Sequence, residues 1–323
     1  MDVTLFQDRI KYQGDLTKLF ELVVNDYKLG KLIAYKPVLQ GYEDFNVILE
    51  TDTGKYLTKV MAASRSDDEA KQYADTMRTV LDNGISHPKL YIGSKGDLYS
   101  TNLNNQNIRL VVMDFVDGSD FFNLNKKPND EEISFLSQQA AKINRLDLNP
   151  EFVYDSWAIP NFLKEYDQVK EKISEQDLEF IRPLVEKFPK LNIDKLPHCF
   201  VHGDIISTNV IRAKNHKLYI IDFAVANIYP RIQELAILLC DLFFVRDEKK
   251  YLYNYNLAIK EYQKITKLEK EEIEILPIYL KLAHAMHIIP ATREKLKGTK
   301  LPENDFWLKS GQDGIRIASK IWR

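Results

Sequence analysis

Apolar positions change their spacing several times along the chain, and each change marks an element. Between Asp15 and Tyr27, Leu16, Leu19, Phe20, Leu22 and Val23 recur at helical intervals, which predicts a short amphipathic helix. Three strand-like runs follow: Leu32–Leu39, Phe45–Thr51 and Tyr56–Met61. Gly41 punctuates the first junction, and Asp52-Thr53-Gly54 supplies a hairpin turn at the second. From Ser66 the period becomes helical again, with Ala70, Tyr73, Ala74, Met77, Val80 and Leu81 on one face. Ser66 with Glu69 three residues on has the form of a capping box, and Asn83-Gly84 is a stop signal. Two more strands are predicted at Lys89–Gly93 and Ile108–Phe115, around a polar excursion at Thr101–Asn107.

Beyond Val116-Asp117-Gly118 the pattern is mostly helical, at Asp130–Leu146, Asn161–Lys170 and Glu175–Lys187. A β-rich stretch from Cys199 to Phe223 interrupts it. Helices then resume at Arg231–Val245, Lys249–Thr266, Lys270–Ile289 and Glu303–Ile321. The expected plan is α+β: a small sheet-bearing lobe over 1–115 and a larger helical lobe over 116–323. A chain of 323 residues exceeds the usual size of a single core, which agrees.

Composition narrows the function. The 45 Lys+Arg and 47 Asp+Glu leave a net charge of -2, so no basic excess is available to track a nucleic-acid backbone. The two cysteines, Cys199 and Cys240, form neither a disulfide framework nor a metal-ligand spacing. No basic and apolar leader opens the sequence. The longest apolar stretch, Leu235–Val245, is broken by Asp241 and is too short to span a bilayer. A cytoplasmic enzyme with no membrane or nucleic-acid partner is the expectation.

The chemistry concentrates in His202-Gly203-Asp204-Ile205-Ile206-Ser207-Thr208-Asn209 and Tyr219-Ile220-Ile221-Asp222-Phe223. Apolar residues flank both, so each polar group sits at a strand end or in a tight loop. Phosphoryl transfer from ATP needs an acceptor for a hydroxyl proton, oxygen ligands for Mg2+ and fixed geometry between them. Asp204 supplies the first, and Asn209 with Asp222 supplies the second. The alternative is a capped turn beside an ordinary strand end.

With these motifs the chain resembles the aminoglycoside phosphotransferase and choline kinase superfamily, in which His-Gly-Asp replaces the His-Arg-Asp of protein kinases. Tyr27-Lys28-Leu29-Gly30, Gly41-Tyr42-Glu43-Asp44-Phe45-Asn46, Ile221-Asp222-Phe223, Pro230-Arg231 and Glu234-Leu235-Ala236 look closest to the homoserine kinases of that fold. The resemblance implies a two-lobed protein-kinase-like fold and transfer of the γ-phosphate of ATP to a small-molecule hydroxyl. A homoserine-like amino acid is the first acceptor it suggests. An aminoglycoside, amino sugar or choline is the alternative within the enzyme class, and a nucleotide-binding module without turnover is the alternative outside it.

In that light Asp204 is the catalytic residue, and His202 supports its loop. Lys59 steadies the nucleotide phosphates, oriented by Glu69 on the following helix. Gly41 belongs to the phosphate-covering turn, and Met113 and Phe115 to the adenine-binding hinge. Lys59 also admits reading as an edge-strand lysine facing water, and Glu69 as a helix cap. Two positions depart from the family pattern: Asn144 where relatives carry His, and Glu234 where they carry Asp. A carboxylate at Glu234 would brace the catalytic loop.

Candidate substrate residues are Arg231, Glu234, His284 and His287. Arg231 and Arg293 have the fork that recognises a carboxylate, and Arg231 would repel a polycation. His284 and His287, spaced i and i+3, suit a substrate-pocket wall or a packed helix face better than a metal pair. Asp117, Asp120 and Asp155 are candidates to attract a substrate amine.

Overall fold

The computed structural model describes residues 3–38, 44–298 and 302–323. Gly41 lies outside them. The chain divides into two compact units, Met1–Gly118 with Ala213–Ile221, and Ser119–Arg212 with Asp222–Arg323. The first thus takes in Ala213–Ile221, a stretch that a single division after residue 115 assigns to the second.

The first unit is a sheet with helices. Helices α1 (Val3–Ile10) and α2 (Leu16–Asp26) precede strands β1 (Leu32–Val38), β2 (Phe45–Thr51) and β3 (Gly54–Val60). Helix α3 (Asp67–Asp82) is followed by β4 (Tyr99–Leu103) and β5 (Gln106–Asp114). The strand order is β1-β2-β3-β5-β4, antiparallel throughout. Phe45, Val47 and Leu49 alternate inward along β2 and meet Leu19, Phe20 and Val23 of α2 in one core cluster. Asp15 caps α2 by accepting from Thr17 N, and the capping box of Ser66 and Glu69 starts α3.

Two expectations need correction. Thr101–Asn107 is not an excursion: β4 turns into β5 through Asn104 and Asn105, at φ 53° and 61°. Asparagine tolerates the left-handed backbone a tight hairpin requires, so a polar pair can close two paired strands. Conversely, Lys89–Gly93 forms only an isolated bridge, Leu90 to Met113. The segment Leu218–Ile220 is tied into this unit by Ser86, which donates from Oγ to Leu218 O (2.6 Å) and accepts from Ile220 N (2.7 Å).

The second unit is helical, with a two-stranded antiparallel ribbon of His198–Val201 and Asn227–Pro230. Its longest helix, Lys270–Leu296, packs against Ile232–Cys240, Phe162–Val169 and Pro302–Ile321. Gly314 permits the last of these contacts. A Cβ there would stand 2.1 Å from the His284 ring, so the helices approach this closely only without a side chain. No helix among the described residues is long and apolar enough to cross a membrane.

Candidate active site

The ribbon strand His198–Val201 delivers the chain into His202-Gly203-Asp204, and the loop is held from behind. Glu234, in the buried helix Ile232–Cys240, is 0 % exposed and accepts from His202 N (2.7 Å) and Gly203 N (3.2 Å). Asn144 Nδ2 reaches Phe200 O (2.9 Å) and Glu234 Oε2 (3.4 Å), and its Oδ1 accepts from Tyr262 OH (2.7 Å). Both departures from the family pattern therefore meet in one buried network. Burial raises the Glu234 carboxyl to about 7, against the lowering effect of these hydrogen bonds. Asp241 holds the far side of the loop by accepting from Ser207 N at 2.6 Å.

Gly203 is required by its backbone, at φ +77°. Asp204 N donates to His202 Nδ1 (3.2 Å), which sets the neutral Nε2–H tautomer, and the His202 ring lies 4.2 Å from that of Phe223. Asn209 Nδ2 donates to Asp204 Oδ2 (2.7 Å) and to Asp204 O (3.0 Å). Since the Asp204 backbone carbonyl can only accept, the amide nitrogen must face it. The amide oxygen is left on the other side of the group.

Asp222 adopts φ 70°, a left-handed conformation that costs any residue with a Cβ, is tolerated best by Asn and Asp, and clusters at functional sites. Asp204 is raised well above the ordinary carboxyl range, first by burial, then by the charges of Asp155 and Asp222. The oxygens of Asn209 and Asp222 are hard donors suited to a small divalent cation that keeps waters or phosphate oxygens as its other ligands. Among the described residues no group of three His, Cys, Asp or Glu could hold a metal, so a closed all-protein cage is not offered.

Asp155 is one of the three acids that are candidates to attract a substrate amine. It sits in a fixed loop: its Oδ1 accepts from Trp157 N (2.8 Å), and the Asn227 side chain clamps Val153 through both N (3.2 Å) and O (2.7 Å). The other two acids are engaged elsewhere. Asp117 pairs with Lys214 (2.9 Å), and Asp120 accepts from Asn123 N (2.7 Å) as a helix cap.

In the first unit, Lys59 is 6 % exposed, and its Nζ donates to Asp44 Oδ2 at 3.3 Å. Glu69 is not its orienting partner: that carboxylate accepts from Ser66 N (2.6 Å) at the start of α3, which holds it below its ordinary range. Met113 and Phe115 straddle the end of β5. Met113 is bridged to Leu57 on one side and Leu90 on the other, and Phe115 is the first residue past the strand.

The side chains of the substrate candidates are engaged within the fold. Arg231 spends its fork on buried Glu272, from Nε at 2.7 Å and Nη2 at 2.5 Å, and also donates to Lys267 O. With its fork on Glu272, Arg231 does not offer it to a substrate carboxylate. Arg293 is likewise engaged, by Glu165 and by Ser156 Oγ (2.7 Å). Glu234 acts through the loop backbone. His284 and His287 are core residues: His284 contacts Cys240 Sγ (3.3 Å) and Tyr251 OH (3.1 Å), and His287 packs on Trp307. Burial lowers His284 well below the usual imidazole range and His287 to about 3, so both are neutral.

Residues 34–265 match the model of the phosphotransferase enzyme family. Homoserine kinase of Parvibaculum lavamentivorans is 22 % identical over 266 residues, 80 % of this chain and 79 % of that one. Homoserine kinase of Sinorhizobium medicae is 23 % identical over 260 residues, 78 % and 76 % of the two chains. Among solved structures, the spectinomycin phosphotransferase APH(9)-Ia, in complex with ADP and spectinomycin, superposes with a TM-score of 0.70 at 15 % identity. It covers 96 % of this chain and 99 % of its own. Choline kinase LicA from Streptococcus pneumoniae gives 0.65 at 12 % identity, over 94 % and 99 %. The fold is protein-kinase-like, and the chain belongs to the phosphotransferase enzyme family, as a small-molecule kinase with an alcohol group as acceptor.

Proposed function

We propose that the protein is an ATP- and Mg2+-dependent kinase whose acceptor is a small amino acid alcohol, with homoserine the first candidate. The observation that carries the reading is the Asp204–Asn209 pair beside Asp222. Asp204, its rotamer fixed by Asn209 Nδ2, takes the proton of the acceptor hydroxyl as the oxygen bonds to the γ-phosphorus and the bond to ADP breaks. Asn209 and Asp222 would hold the divalent ion, which supplies counter-charge to the phosphate oxygens when bound. Lys59 holds the phosphates, and Phe115 offers backbone groups to the base. His202, Glu234 and Asp241 keep the loop in register for this.

The amino acid preference is supported by the homoserine kinases among the relatives, since Arg231 no longer argues for it. Asp155 beside Asp204 favours an amine on the acceptor and suits choline or an aminoglycoside equally well. The test is ADP release with L-homoserine, choline, glucosamine and kanamycin at matched concentrations. The highest kcat/KM is expected with homoserine. Homoserine at background beside turnover of another acceptor would sink the substrate assignment, and background rates with all four would count against turnover itself.

A further inference from the structure

We propose that Asp44 is the positioning residue for the phosphate-holding cation Lys59, in place of a carboxylate from helix α3. The proposal rests on the ATP-dependent reading above. Its first support is register. The hairpin of β2 and β3 pairs Asn46 with Lys59, so Asp44, two residues earlier on the same face, is the diagonal neighbour of Lys59. Its second support is burial. Asp44 is 5 % exposed, and a carboxylate so enclosed needs each oxygen engaged. Oδ1 accepts from Ala62 N (2.9 Å) and Arg65 Nε (3.5 Å), which leaves Oδ2 on Lys59 Nζ. Arg9 Nη1 donates to the Asp44 carbonyl (3.1 Å), so the backbone carrying the carboxylate is held as well.

Tyr73 completes the arrangement from α3. Lys59 Nζ and the Arg65 guanidinium lie 5.3 and 5.5 Å from the centre of its ring. Helix α3 therefore contributes an aromatic face to this cation, while its first-turn acid Glu69 closes the helix end.

The test is initial-rate kinetics on the full chain with ATP varied, beside calorimetric titration of ATP. Asp44→Asn keeps the shape and removes the charge, and should raise KM for ATP about tenfold while the acceptor KM stays within about twofold. Asp44→Glu should recover part of the loss, and Glu69→Gln should stay within about twofold of wild type. In a Lys59→Met background Asp44→Asn should add nothing to KM for ATP, because a residue acting through another has no separate effect. A merely structural Asp44 would lower Tm and leave KM for ATP in place.

An unchanged KM in Asp44→Asn, additive effects with Lys59→Met, or a tenfold rise in Glu69→Gln would each overturn the proposal. Should Asp44→Asn fail to fold, Glu69→Gln and the conservative Asp44→Glu decide it by the same criteria. Wild-type protein without affinity for ATP would overturn the kinase reading and this inference together. Wild-type affinity with an indifferent Asp44→Asn would overturn the inference alone.

Discussion

Around Lys59 the first unit buries opposite charges together, whereas around Asp204 the second buries like ones. Asp44 receives an ammonium, a guanidinium and a backbone N–H in a dry setting, so the group is satisfied by the fold itself. Asp204 has the opposite surroundings: burial and the charges of Asp155 and Asp222 all disfavour its ionised form, and the Asn209 hydrogen bond opposes them. The first arrangement sets buried charge against opposite charge. The second costs stability and is the kind of strain that a site built for cationic ligands carries.

The comparison is tested most severely by Asp204→Asn. Loss of the proposed proton acceptor should lower kcat by ~10²–10⁴-fold, measured with the best acceptor of the ADP-release panel. The same substitution removes a disfavoured charge, so Tm should rise, by ~2–4 °C for each kcal/mol gained. Lower activity with a lower Tm would mean that the carboxylate is stabilising and that the like charges around it cost the fold nothing.

A smaller effect is expected at Glu234, where the sign follows from its folded carboxyl lying at about 7, above its ordinary 4.5. A raised carboxyl stabilises the fold fully below the unfolded value, and that contribution is lost as pH rises through the folded one. Wild-type stability should therefore decline between about pH 4.5 and 7 on this account. Glu234→Gln, which keeps one acceptor for the loop, should flatten that decline in denaturant titrations across the range. An identical pH slope in the variant would show that Glu234 is not the titrating group.

Much of this was legible in the sequence. The helical stripe of Leu16–Val23, the alternation of Phe45–Thr51 and the Ser66–Glu69 capping box all appear as elements, because local spacing alone decides them. The hairpin at Asn104–Asn105 was hidden because its signal is backbone sign, which two polar residues share with any loop. His202, Asp204, Asn209 and Asp222 stand out because their spacing along the chain is the motif, and folding joins the first three in one hydrogen-bonded loop.

Partners brought together by folding were not. Asp241 stood in the sequence as a lone acid inside an apolar run, a position that demands a buried partner but does not name Ser207 N. Arg231 resembled a carboxylate receptor because Glu272, 41 residues on, cannot be placed beside it from spacing. Asp44 was within reach: the Asp52-Thr53-Gly54 turn fixes the register that sets it diagonal to Lys59. The resemblance drew attention to Glu69 instead.

The most direct test of the contrast is the response of the second unit to a divalent cation. Thermal melts of wild type and Asp222→Ala with and without Mg2+ and ATP should separate. A cation that binds the folded state stabilises by mass action, about 2.7 kcal/mol at a hundredfold excess over Kd. Wild type should gain Tm with Mg2+ and ATP together, and Asp222→Ala should lose most of that gain. Equal gains in the two proteins would contradict the account, because the charges gathered around Asp204 would then have no cation to answer them.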